Sequence, residues 1–129
     1  MGLILLLLTA VVLLWLLGTA GLVYSLTHPR RKTFAVALGR GDPTDPADLE
    51  LLAQEVTFSL SDRSRTPGWI IQGHVSDEDA PTVVIVHGFE DSRYGALKRV
   101  PLVVPYARRI VVFDLPGQGD SESRRGYGG

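Results

Sequence analysis

The chain has 129 residues, 45% of them hydrophobic, a formal net charge of -1 and no cysteine. The last point excludes disulfides and thiolate chemistry, and the near-neutral balance gives no reason to expect a nucleic-acid partner. Setting aside an apolar N-terminus leaves about one hundred residues, enough for one small domain.

Residues 2–26 carry no charged side chain and are dominated by Leu, Val and Ile. As a helix they would extend about 37 Å, enough to cross a hydrocarbon core with some tilt. Trp15 falls mid-span, and Tyr24 falls near the end, where an aromatic ring suits the interface. His28 and Pro29 stop the helix, and Arg30, Arg31 and Lys32 follow. Gly18, Thr19 and Ala20 would offer the small residues of a cleaved secretory signal. No Lys or Arg precedes the run, however, and it is longer than a usual signal core. The expectation is a retained transmembrane helix over residues 1–28, with the lipid bilayer as partner of residues 2–26. Three basic residues after the span, against the terminal amine before it, place the remainder in the cytoplasm.

Residues 29–54 read as a juxtamembrane tether. Gly39, Gly41, Pro43 and Pro46 break any long helix there, and no periodic apolar face develops over residues 33–48. Asp45 followed by Pro46 predicts a short helix with Asp45 as its cap. Residues 55–60 then alternate, with Val56, Phe58 and Leu60 on one side and Thr57 and Ser59 on the other. That pattern is a half-buried antiparallel strand. Residues 62–68 form a polar turn, 69–75 a second strand and 77–81 the next turn, so that a hairpin feeds a third, buried strand.

Two β-branched runs follow, at 83–86 and 110–113. The first closes with His87, Gly88 and Phe89, and the second with Asp114, Leu115, Pro116, Gly117, Gln118, Gly119, Asp120 and Ser121. About twenty residues of partly helical character separate them, which makes a strand, crossover, strand unit and hence a parallel pair. Pro101 and Pro105 divide the crossover into a first turn or two from Ser92 and a second helix near Pro101. The run at 110–113 is expected to keep one side unpaired. Arg93, Lys98, Arg99, Arg108 and Arg109 read as a solvated basic face, with anionic lipid contact as the sharper alternative.

The HG turn and the D-x-P-G-x-G-x-S turn, in this order and at this separation, resemble the front half of an α/β-hydrolase over residues 56–121. The resemblance implies an α/β fold over residues 55–129: the first strands of a hydrolase sheet, incomplete, as an antiparallel hairpin and then a parallel βαβ unit. It implies serine-hydrolase chemistry on esters or related acyl compounds, with no cofactor and no metal. In that family the nucleophile sits on a G-x-S-x-G elbow, and the triad runs Ser, acid, His along the chain. No such elbow occurs here. Residues 119–123 imitate one, but end in Ser123 where Gly is needed, and residues 124–129 are too short and Gly-rich for the helix that should follow. All three histidines, His28, His74 and His87, precede Ser121, which therefore reads as a turn serine.

By resemblance, the backbone N–H of Phe89 is the first oxyanion donor and Gly88 lets the chain turn beside it. His87 reads as a structural ring bonded to loop groups, with general base or metal ligand as the alternative. Asp114 reads as structural, while Gly117 and Gly119 shape the rim. The expectation is a membrane-anchored hydrolase-like protein, truncated before its nucleophile and inactive alone, whose small ester-type substrate belongs to a longer form. The alternative is a non-catalytic, membrane-anchored interaction protein that uses the hydrolase scaffold.

Overall fold

A computed structural model describes residues 1–28 and 30–123. Pro29 and residues 124–129, the stretch judged unfit for an elbow helix, lie outside the described residues. The first element is α1 (Gly2–Thr27), a helix of 26 residues with no buried side chain. It is long and apolar enough to be a membrane span or a signal sequence. Its hydroxyls are satisfied within the helix: Thr9 donates to the Leu5 carbonyl and Thr19 to the Trp15 carbonyl, each at 2.8 Å. Such back-bonding is how a polar side chain is tolerated in an apolar helix.

Four strands form one sheet: β1 (Ala53–Ser59), β2 (Arg65–Gln72), β3 (Thr82–Ile85) and β4 (Arg109–Phe113), in the order β1-β2-β4-β3. The pairs β1–β2 and β2–β4 are antiparallel, and β3–β4 is parallel. Alternation in β1 sets its face: Val56 and Phe58 are half-buried while Thr57 and Ser59 are exposed.

Three expectations about the sheet are corrected. The run at 110–113 has no unpaired side, because β4 lies between β2 and β3, and the sheet's open edges are β1 and β3. The chain leaving β2 supplies the physical reason. Gly73 N–H donates to the Arg108 carbonyl (2.9 Å), His74 N–H to Val104 (2.9 Å) and Val75 N–H to Ala107 (3.2 Å). That stitching holds the run-up to β4 against β2, so the free edge of β2 is taken before β3 can use it. β3 is accordingly not a buried third strand, and Val84 is 55% exposed. The second strand also starts earlier than Trp69, since β2 passes through Pro67. The Pro67 carbonyl accepts from Asp114 N–H (3.2 Å), so its missing donor points to the end of the β2–β4 ladder, where no strand bond is lost.

One face of the sheet is covered. Trp69, Ile71, Ile110 and Val112 pack under α3 (Arg93–Leu97), α4 (Val100–Val103) and a 3-10 turn at Val104–Tyr106, burying Tyr94, Leu97, Val100 and Val104. The break between α3 and α4 falls where Pro101 demands it. The opposite face, with Phe58, Ile70, Val84, Val111 and Phe113, stays partly open, and Phe58 meets Phe113 edge-on at 5.6 Å.

The stretch 33–48 is more than a tether. It contains α2 (Phe34–Gly39), whose Ala37 is fully buried in the core and whose Phe34 ring meets Tyr94 edge-on at 6.1 Å. With one buried position in six, such a helix shows no periodic apolar face in sequence. Asp42 then lies between two lysines, Lys32 (3.3 Å) and Lys98, and the bond from Lys98 holds its carboxyl below the usual range. The expected cap is present: Asp45 accepts from Ala47 N–H (2.8 Å) at the start of a 3-10 turn, Pro46–Leu49.

Candidate functional site

Because β3 and β4 are parallel neighbours, the loops at their C-terminal ends emerge side by side, where α/β sheets place their ligands. After β3, the chain makes the HG turn, closed by Asp91 N–H on the Gly88 carbonyl (3.2 Å), with Glu90 left-handed at φ 56°. After β4 comes the loop from Asp114 to Ser121. His87 joins the two. Its Nε2 accepts from Leu115 N–H (3.0 Å) and its Nδ1 faces the Gly88 carbonyl (2.8 Å), which assigns the ring proton to Nδ1. Both ring nitrogens are thus used in holding loops together.

Asp114 is the hub. Its carboxylate, fully buried, accepts from Arg93 N–H (2.7 Å) and from Asp120 N–H (3.0 Å), while its carbonyl accepts from the Thr66 hydroxyl (2.6 Å). A residue far along the chain therefore caps the start of α3, a place where the Ser92 hydroxyl makes no bond. Burial pushes the Asp114 carboxyl above its ordinary value, opposed by those two N–H donors and by the Arg93 guanidinium. Gly119 is glycine for the same contact. It has φ 52°, and a Cβ there would lie 2.1 Å from Asp114 Oδ1.

Arg93 departs from the solvated basic face expected of it. The side chain is buried, with its Cζ 4.4 Å from the Trp69 ring centroid and 5.1 Å from that of Tyr94. Around it stand Glu55 (3.6 Å), Asp114 (3.7 Å) and Asp120 (3.8 Å). Sequence reasoning missed this cage, although one signal was available. An arginine in the first turn of a helix opposes the macrodipole, so it needs a partner strong enough to outweigh that.

Tyr94 completes the group by donating to Asp120 Oδ2 at 2.5 Å, and burial followed by that bond pushes its phenol up to about 12. The unfolded phenol ionises near the ordinary value of 10.0. Between these values the folded chain keeps a proton that the unfolded chain has lost, so stability falls as pH rises across that window. The loss amounts to about 3 kcal/mol at most. Tyr94→Phe is expected to remove this part of the alkaline destabilisation, read as the difference in denaturation midpoints between pH 9 and pH 12 (the window set by the two states' ionisation).

The other expected site residues fall as follows. Phe89 is half exposed beside the HG turn, and its N–H has no acceptor among the described residues. Gly88 is exposed, while Gly117 (φ 75°) and Gly119 line the second loop. Ser121 is buried, and among the described residues nothing bonds its hydroxyl. The histidines are not brought together. His28 stacks on Tyr24 at the end of α1 (4.3 Å), and His74 is exposed beyond the far end of β2. A groove of about 520 Å³ also lies at that far end, between Ala53, Ile70, Gly73 and Arg109. It holds no carboxylate, histidine or hydroxyl pair that could act together, so the loops at the other end remain the candidate site.

A mixed α/β scaffold, one four-stranded sheet with a helical crossover, is what this strand order and loop pair define. Three crystal forms of an esterase from Pyrococcus furiosus, Pf2001, share the fold. The TM-scores are 0.57, 0.53 and 0.50, at 21%, 23% and 24% identity. The matches cover 78%, 63% and 60% of this chain but only 34%, 30% and 30% of the esterase, so the chain spans about a third of its length. At such identity the likeness carries the fold and nothing of the esterase's activity. No family model matches the chain, and no curated protein does either.

Proposed function

We propose that these residues are the opening part of a membrane-anchored serine-hydrolase scaffold. In this reading α1 is a retained anchor, the remainder faces the cytoplasm, and Phe89 N–H is one donor of an oxyanion site. One observation carries it: the parallel β3–β4 pair sets the HG turn against the Asp114 loop and leaves the Phe89 N–H without an acceptor among the described residues. A donor fixed on a turn costs little to reorganise when negative charge develops on a carbonyl oxygen. The sequence contains no G-x-S-x-G, and the His87 ring is committed to the loops. Residues 1–129 therefore supply half of the electrostatic site and no nucleophile.

The chain is expected to release no p-nitrophenol from p-nitrophenyl acetate above the buffer rate. Turnover abolished by Ser121→Ala would falsify the absence of a nucleophile. Topology is tested separately with an alkaline phosphatase fused at the C-terminus, which is expected to stay inactive and would overturn the cytoplasmic placement if active.

A second reading, a non-catalytic interaction protein, is favoured by the open sheet face around Val84 and Phe113 and by the free edge of β3. The two differ in amide exchange. Strong, cooperative protection of all four strands in the isolated chain supports the interaction protein, and weak protection of β3 supports the partial scaffold.

A further inference from the structure

We propose that the turn carrying Phe89, together with α2, rests on the bilayer surface, so that the candidate oxyanion donor opens toward the lipid phase. The inference rests on the anchor reading and extends it to a second membrane contact. α1 ends at Thr27, and by Arg30 the backbone N–H already donates to Glu90 Oε1 at 3.3 Å. Three residues of chain span at most about 11 Å. The turn at 88–91 is therefore held close to the end of the helix by chain length alone, whatever the helix tilt.

The residues after the helix then fasten both loops. Arg31 Nη1 donates to the Ser121 carbonyl at 2.8 Å, and its Nη2 donates to that of Ser123. Lys32 Nζ pairs with Asp91 at 3.1 Å. Phe34 N–H donates to Asp120 Oδ1 at 3.3 Å, which ties the start of α2 to the same loop. Around this exit large apolar side chains stay open: Phe89 at 50%, Phe34 at 49% and Leu38 at 60%. Phe34 and Leu38 are four apart and share a face of α2. Arg30 and Arg40 stand exposed at either end of this segment. Apolar side chains flanked by cations suit the boundary of headgroups and acyl chains. The occupant of this surface is the bilayer that α1 already enters, because the two are continuous within three residues.

The native chain lacks cysteine, so single cysteines can report depth in the full chain. Leu14→Cys, Leu38→Cys, Phe89→Cys and Asp79→Cys each replace an exposed side chain, and Asp79 lies before β3, at its opposite end from Phe89. Each is labelled with an environment-sensitive fluorophore in phosphatidylcholine vesicles containing brominated acyl chains. Labels at 14, 38 and 89 are expected to be quenched several-fold more than the label at 79. Strong quenching at 14, with 38 or 89 quenched no more than 79, overturns this inference and leaves the anchor standing. Absence of quenching at 14 overturns the anchor reading and this inference with it.

Discussion

Asp114→Ala is expected to destabilise the domain by about 3–5 kcal/mol, measured by denaturant unfolding of the whole chain in detergent with Trp69 fluorescence as probe. The substitution removes the acceptor of a buried backbone donor, Arg93 N–H, which costs about 1–3 kcal/mol when left unpaired, and of the part-buried Asp120 N–H, which costs less. It also takes a carboxylate from beside the buried Arg93 guanidinium, whose Nε and Nη1 make no hydrogen bond among the described residues. Asp62→Ala is the control. Asp62 also accepts hydrogen bonds, two from Ser64 and one from the Ser123 hydroxyl (3.0 Å), but it is exposed, so its loss is expected to cost under about 1 kcal/mol. Equal losses for the two variants would show that Asp114 is no hub.

Gly73→Ala is expected to be strongly damaging for a single added methyl. A Cβ at this position would lie 1.8 Å from the Ala107 carbonyl oxygen and 2.6 Å from its carbon. Both are main-chain atoms of the segment that leads into β4, and they cannot swing aside as a side-chain tip could. Relief requires parting residues 72–75 from 104–108 and losing the three hydrogen bonds that stitch them. A cost of about 3 kcal/mol or more follows. Amide exchange should quicken at Gly73, His74 and Val75 and along β4, while the β1–β2 hairpin keeps its protection. Uniform quickening across the sheet would mean that this seam is not a separable unit.

Much of the element content was legible in the sequence, because local rules govern it. Alternation at 55–60, the Asp45-Pro46 start signal and the prolines at 101 and 105 each fix backbone behaviour over a few residues. Strand order was not legible. That β4 enters between β2 and β3 depends on where residues 73–75 find partners some thirty positions away, and no periodicity encodes that. The cage around Arg93 was hidden for the same reason. Trp69, Tyr94 and the pair Asp114 and Asp120 come from three separate elements, and each alone has an ordinary reading. α2 was missed because a single small buried residue, Ala37, anchors it. At the loops, the HG turn and the Asp114 turn were visible as motifs, while the pairing of His87 with Leu115 needed the parallel strands to bring them together.

The sheet order also has a consequence for biosynthesis. Along the chain the hairpin and β3 are made before β4, yet β4 is the strand that joins them. A ribosome would thus carry an emerging hairpin and a lone β3 with unsatisfied edges until residue 113 clears the exit tunnel. Synthesis paused before that point should present sticky strands to chaperones, and only afterwards can the three pieces snap into register.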